Sequence, residues 1–480
     1  MSLDPPTYLS SLQNNIRARP IPWEGAVRAG HITEGDLTKI KSIDKVRREQ
    51  RKQTVLADVD SFRVLLLGDE QSPSVLESAG KRGDVVQYIL VLAGDLIDDI
   101  PQLTAALLAH PHPYRPFAHL LTQSSNPEDP IPQLTSSVLA SLISSALVTT
   151  SKALPATYKT LPNLYSYLSM LSDRSDSGLQ DIAVQEYSAV LRSKESRGLF
   201  WRQKSETVGP MISILRAAAG VTKNGEESTL WSGASSIRGA TEVGISGGVG
   251  LQLLYHVLLV MWQLSFEGEL VGDGLERDYE IIPLYTQLLR LSPKEKTTRL
   301  LVSTVYNLLS TNRTTLLPAA TLARLPSILQ NLQGRHLTDP DLVDDLTNLT
   351  GMLDEYTKTQ TTFDEYATEV RSGHLHWSPP HRSAIFWAEN ARRIIDEEQS
   401  DLPKRLVAIL SKPWDGEKHV LAIACNDVGC LVREVPEQRG RLERLGLKSR
   451  VMALMADEAD EAVRWESLRA VGEWLRYSFE

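Results

Sequence analysis

The sequence predicts an all-α protein, built as a helical solenoid in two parts, a large N-terminal one and a small C-terminal one. Three observations carry this. A short segment with leucines at helical spacing, often led by proline, returns as LPNLYSYLSML (161–171), PMISILRAA (210–218), IIPLYTQLLRL (281–291), LARLPSILQNL (322–332), LPKRLVAIL (402–410) and SRVMALMAD (449–457). Most of these are followed by a longer apolar segment, as in LQLLYHVLLVMWQLSF (251–266), RLLVSTVYNLLS (299–310), HVLAIACNDVGCLVRE (419–434) and AVRWESLRAVGEWL (462–475). Period-two strand patterns are scarce. Helix, turn, helix at intervals of about 40 to 50 residues is the signature of HEAT or armadillo arrays. One such hairpin leaves an apolar face uncovered, so hairpins stack.

The elements follow in order. A chain of 480 residues exceeds one compact core. The opening MSLDPPTYLSSLQNN has neither a basic start nor an apolar centre, so no signal peptide is expected. KIKSIDKVRREQRK, from Lys39 to Lys52, is basic. However, Leu37, Ile40, Ile43 and Val46 recur at near-helical spacing, so it reads as one helix with a solvated face. The net charge of −9 argues against a nucleic-acid partner. QLTSSVLASLISSALVTTS (133–151) is rich in Ser and Thr, and LQLLYHVLLVMWQLSF contains His256 and two glutamines. Both read as buried helices rather than the roughly 20 apolar residues of a membrane span, so no direct membrane insertion is expected.

Residues 223–250, rich in Gly and Ser, read as a long inserted loop. Between Gly351 and Thr362 the apolar period lapses into GMLDEYTKTQTT. The expected division is therefore an N-terminal solenoid over 1–350, a linker over 351–361 and a C-terminal domain over 362–480. Cys425 and Cys430 are the only cysteines, and five positions apart on a helix they face different ways.

Little in the sequence points to catalysis. Gly244-Ile245-Ser246-Gly247-Gly248 matches G-x-S-x-G, which would make Ser246 the nucleophile of a hydrolase. A nucleophile elbow needs a strand before the serine, and here a glycine-punctuated loop precedes it. Phosphate-loop, dinucleotide and H-E-x-x-H patterns do not occur. No catalytic residue, cofactor or metal is expected.

HLHWSPPHRSAIFWAEN (374–390) places His374, His376 and His381 within eight positions. A zinc site needs three or four converging ligands, and the Pro-Pro pair redirects the chain before His381. Ser378 and Pro379 read instead as the cap and first position of a helix. Phe386 and Trp387 would lie on its body, so Trp377, Phe386 and Trp387 are expected to be packing residues.

This segment resembles the opening of the C-terminal domain in the H-subunit family of the V-type proton ATPase, whose W-S-P-x-H…F-W…N pattern is matched by Trp377, Ser378, Pro379, His381, Phe386, Trp387 and Asn390. His374 and His376 stand outside that signature. Four further stretches resemble the family in order: NNIRARPIPWEG with AGHIT (14–33), LQLLYHVLLVMWQLSF, SPKEKTTRL (292–300), and the run from Val420 to Val471.

The resemblance implies a non-catalytic regulatory subunit of the vacuolar proton pump, at the cytoplasmic face of the vacuolar or endosomal membrane. Its implied partners are the peripheral-stalk subunits, the cytosolic domain of the large membrane-sector subunit and, in the free state, the central rotor or catalytic sector. It also implies a need for the chain in coupled ATP hydrolysis and pumping, and silencing of the free soluble sector. The alternative is an armadillo-type peptide or cargo adaptor, although no regular Asn and Trp ladder is visible.

Silencing is expected of the C-terminal domain, and within it of the loop KPWDGEK (412–418) with Lys412, Trp414, Asp415 and Lys418. The other reading of that loop, a solvated connection with Trp414 folded onto the core, stays open at this point.

Overall fold

A computed structural model describes residues 7–122, 126–149, 153–221, 250–292, 294–414 and 416–476. Among the described residues the regular elements are all helical, and helices that follow one another in the chain commonly pack together. The chain forms two compact units, Met1–Ala218 with Gly248–Gly272, and Ala219–Gly247 with Asp273–Glu480. Ser246 and most of the loop expected at 223–250 lie outside the described residues.

The first unit is organised by long apolar helices: α1 (Gly83–Asp99), α2 (Pro130–Val148), α3 (Leu154–Ser172), α4 (Ser177–Val190) and α5 (Leu251–Ser265). α2 is long and apolar enough to cross a membrane by composition, and 67% of its apolar window is buried inside the protein. The polar residues of α5 have protein partners: His256 Nδ1 lies 2.6 Å from an Asp181 carboxylate oxygen on α4, and Gln263 donates to the Ser188 carbonyl at 3.0 Å. Tyr165, Tyr187 and Phe200 form an aromatic knot with centroids 4.9 to 6.0 Å apart, and both phenols donate to backbone carbonyls.

The basic stretch near the N-terminus is two helices rather than one. Glu34–Ile43 ends where Lys45 takes a positive φ of 52°, and Arg48–Ala57 follows. Ile40 and Ile43 are buried as the spacing predicts. Arg48 and Arg51 pair with Asp99 and Asp95 of α1, so part of the basic patch is neutralised within the unit.

In the second unit, α6 (Ile281–Leu291), α7 (Glu295–Thr311) and α8 (Pro340–Thr359) show what the SPKEKTTRL stretch does. The Glu295 carboxylate accepts from the backbone N–H groups of Thr338 and Asp339. Arg299 pairs with Asp339 and Asp341. These contacts clasp the start of α8 onto α7, while Asp339 also caps α8 by accepting from two backbone N–H groups.

Residues 351–359, expected to lie in a linker, instead complete α8. Leu342, Leu346, Leu349 and Leu353 hold one buried face through a stretch whose average composition is polar. Thr361 then opens α9 (Thr362–Ser372) through a capping box with Asp364. The C-terminal helices that follow include α10 (Pro379–Arg382), α11 (Ala384–Asp396), α12 (Asp401–Leu410), α13 (Lys418–Glu434), α14 (Leu447–Asp457) and α15 (Glu461–Arg476).

α13 is the hub of this group. Its residues from Val420 to Val432 are buried, including Cys425 and Cys430, whose thiols burial pushes up to about 12. Gly429 sets how closely α15 approaches: a Cβ there would stand 3.1 Å from Ala470 Cα and 3.3 Å from Ala470 Cβ. Gly429→Val therefore forces two packed helices apart, with an expected loss of about 1 to 3 kcal/mol in denaturant unfolding of the full chain.

Candidate functional site

The segment from Gly373 to Asn390 is assembled by tertiary contacts more than by its own helix start. α9 ends at Gly373, whose φ of 81° turns the chain. The expected single helix from Pro379 is two, because Ser383 interrupts it. The Ser383 hydroxyl accepts from the Phe386 N–H and caps α11. Ser378 stands at the start of α10 but makes no side-chain cap there. Its hydroxyl donates instead to Glu369 Oε2 at 2.8 Å. That charge-assisted bond turns the hydroxyl toward α9 and away from the start of its own helix.

Trp387 and Phe386 pack around Tyr366, with ring centroids 5.3 Å away in each case. Both are buried in the C-terminal core, as expected of packing residues. Trp377 is half-buried against the same core, with the Arg382 guanidinium 4.7 Å from its ring centre. Asn390 Nδ2 donates to the Phe386 carbonyl one turn back, at 2.9 Å.

His381 is the centre of the arrangement. Its ring is buried, with Nδ1 2.8 Å from both carboxylate oxygens of Asp427 and Nε2 3.4 Å from Glu369 Oε1. Burial by itself would lower its pKa, but Asp427 and Glu369 outweigh that and push it up to about 10. The imidazole is thus a buried cation, donating from Nδ1 to Asp427.

For Glu369, burial pulls upward, yet His381, the His376 N–H and the Ser378 hydroxyl together hold it below the usual carboxylate range. Burial raises Asp427 against the pull of His381. Asn426 Nδ2 donates to the His381 carbonyl at 2.9 Å and braces the turn. The cluster is a fixed ionic lock between α9, α10 and α13. Its carboxylates escaped the sequence reading, although a lone aspartate inside the apolar run of α13 is a signal that some cation must meet it.

The other two histidines have separate partners. His374 stands edge-on to Trp414 with ring centroids 5.8 Å apart, and lies 3.5 Å from Glu280 Oε1 and 4.0 Å from Glu417 Oε2. His376 stacks on His419 at 6.1 Å, and burial lowers the pKa of both. His374 therefore has a place in the packing that its position outside the family signature did not suggest.

The KPWDGEK loop follows the second of its two readings for the aromatic. Trp414 is 7% exposed and its indole N–H donates to the Ile409 carbonyl at 2.8 Å, so the ring belongs to the core and is not presented to a partner. A seven-residue connection between α12 and α13 is short, and folding the ring inward removes its apolar surface from water. Lys412 is exposed, its ammonium 5.6 Å from the Trp414 ring centre. Lys418 pairs with Glu458 at 3.0 Å and lowers that carboxyl's pKa. Asp415 lies outside the described residues. Lys418→Ala removes one half-exposed ion pair and is expected to shift stability by less than about 1 kcal/mol in thermal melting.

Two family models, each described as the V-ATPase H subunit, match the chain, one over residues 7–353 and the other over residues 359–479. The chain is 29% identical to the V-type proton ATPase H subunit of Drosophila melanogaster, over 97% of this chain and 89% of that one. It is 37% identical to the first of two probable V-type proton ATPase H subunits of Caenorhabditis elegans, in an alignment spanning 46% of this chain and 49% of the relative. Among solved structures, an engineered protein aligns over 99% of this chain at 12% identity, with a TM-score of 0.37.

Proposed function

The chain belongs to the V-ATPase H-subunit family, and we propose that it acts as a non-catalytic regulatory subunit of the vacuolar proton-translocating ATPase, bridging the peripheral stalk and the cytosolic domain of the large membrane-sector subunit. In this reading it is required for coupled hydrolysis and pumping. It silences ATP hydrolysis when the soluble sector is free, through contact with the central rotor or catalytic sector. It works at the cytoplasmic face of the vacuolar or endosomal membrane. The single observation supporting this is that the family likeness runs through almost the whole chain, from residue 7 to residue 479.

The division of labour is part of the proposal. Residues 1–350 carry the stalk contact, residues 362–480 carry silencing, and 351–361 mark the join. Within the C-terminal part the silencing contact is assigned to the charged rim of the KPWDGEK loop, Lys412, Asp415 and Lys418. Trp414 serves by holding that loop against the core, since its indole is committed to Ile409.

The test uses the full chain carrying Lys412→Ala and Lys418→Ala together, side chains whose loss leaves the core intact. Hydrolysis by the free soluble sector is measured with the variant added, and pumping is measured in the assembled complex. Inhibition is expected to weaken several-fold while pumping persists, because the stalk contact lies elsewhere. Undiminished inhibition by a folded variant removes the loop assignment, and a chain that never inhibits removes the silencing role.

A further inference from the structure

The last described helix, α15, buries one face, and its other face is bare among the described residues. Val463, Ser467, Ala470 and Trp474 of α15 point inward. Trp465, Leu468 and Leu475 are 63%, 55% and 51% exposed. With Gly472 they stand three, four and three residues apart, which places them in one stripe along the helix. Single exposed apolar residues are ordinary, but a contiguous stripe of them along one helix face marks an interaction surface.

Gly472 adds a second sign. A Cβ there would meet nothing within 4 Å, so the packing of this chain does not require the glycine. Glycine in a helix interior destabilises relative to alanine. Its effect here is to open a notch in the stripe between Leu468 and Leu475, of the kind a side chain from a facing helix fills.

The two long edges of the stripe are cationic, while the exposed Glu461, four residues before Trp465, stands at its N-terminal end. Arg469 and Arg476 pair with Glu466 and Glu473, but the guanidinium groups are the outer partners: their side chains are 51% and 64% exposed, against 14% and 24% for the carboxylates. Arg464 is exposed on the opposite edge. We propose that this stripe is a docking surface for one amphipathic helix of another polypeptide, with an apolar seam that covers Trp465, Leu468 and Leu475 and acidic side chains that meet Arg464, Arg469 and Arg476.

A second copy of this chain is a poor occupant. Two α15 helices paired in parallel bring Arg464 against Arg469, and paired antiparallel they bring Arg469 against Arg476, so like charges face each other either way. A helix with acidic flanks removes the repulsion and covers the exposed indole, the kind of anchor on which interfaces concentrate their affinity. The inference rests on the chain's membership of a multi-subunit pump and not on the silencing role, which the hydrolysis assay reads separately.

The experiment places a photo-crosslinking side chain at the stripe, Leu468→p-benzoylphenylalanine, in the full chain within the assembled complex, and identifies the captured segment by mass spectrometry. The expected adduct is one helical segment of another pump component with apolar residues at three-and-four spacing flanked by Asp and Glu. In parallel, Leu468→Glu and Leu468→Ala are expected to weaken retention of the chain in the complex by roughly tenfold or more for the charged variant and less for alanine. Melting of the isolated chain should be unchanged, because the side chain is largely in water. Absence of any adduct, an adduct to a second copy, capture of a basic or irregular segment, or full retention of Leu468→Glu each overturns the proposal.

Discussion

Asp427→Asn is expected to lower the stability of the C-terminal helices by about 3 to 5 kcal/mol, the usual cost of removing one partner from a buried ion pair. The cost arises because His381 stays buried and loses the carboxylate that meets its Nδ1 through both oxygens. Glu369, at 3.4 Å, offsets only part of that charge. Thermal melting of the full chain reads the effect as a shift on the order of 10 °C. A variant that melts with the wild type would show that His381 is neutral in the folded protein.

The same cluster sets a pH dependence with a definite sign. The ordinary histidine value is about 6.5, and in the folded protein His381 is pushed up to about 10. Below about pH 6.5 both folded and unfolded states hold the proton, and the stabilisation is complete. As pH rises from there through 10 the folded state alone keeps the proton, so the contribution drains away. Glu186, which burial pushes up to about 8, adds a falling slope of its own at lower pH. The His381 share is therefore the difference between wild type and His381→Gln, measured by denaturant unfolding from pH 6 to pH 10.

Trp387→Ala is expected to be as costly, about 3 to 5 kcal/mol, through the cavity left by a buried indole. Trp387 is 1% exposed and stacks edge-on to both Tyr366 and Phe386. Loss of stability should precede loss of any specific contact, so binding by the variant at low temperature should be retained. Unchanged melting with abolished binding would assign Trp387 to an interface instead. Added zinc is expected to leave the melting of the wild type where it was.

Much of the fold was legible because it is local. The leucines of 281–291 and 402–410 recur at helical spacing, and Leu284, Leu288 and Leu289 of α6 and Leu402, Leu406 and Leu410 of α12 are buried. The N-terminal basic stretch shows the limit: Ile40 and Ile43 were placed correctly, but the break at Lys45 carries no glycine or proline to announce it. The polar run from 351 hid a helix because its buried face is carried only by Leu353 after Leu349, a density too low for a window of composition to register. At the candidate site, the position of Phe386 and Trp387 on the helix body marks them as packing residues. Glu369 carries no such mark, since TEVRS looks like any solvated helix end until the chain returns above it.

What the sequence by itself determined is the helical periodicity, the succession of hairpins and the signature from Trp377 to Asn390, because each depends on residues within a few turns of one another. Only the tertiary structure decided what those faces meet. His381 and Asp427 are 46 positions apart, and their shared burial is a property of α10 crossing α13. Trp414 could turn to water or to the core until the Ile409 carbonyl was in place to receive its N–H. The apolar residues of α15 look alike in sequence, yet Trp474 is covered and Trp465 is bare. Periodicity states which side chains share a face of a helix, and burial depends on what other segment of chain is packed against that face.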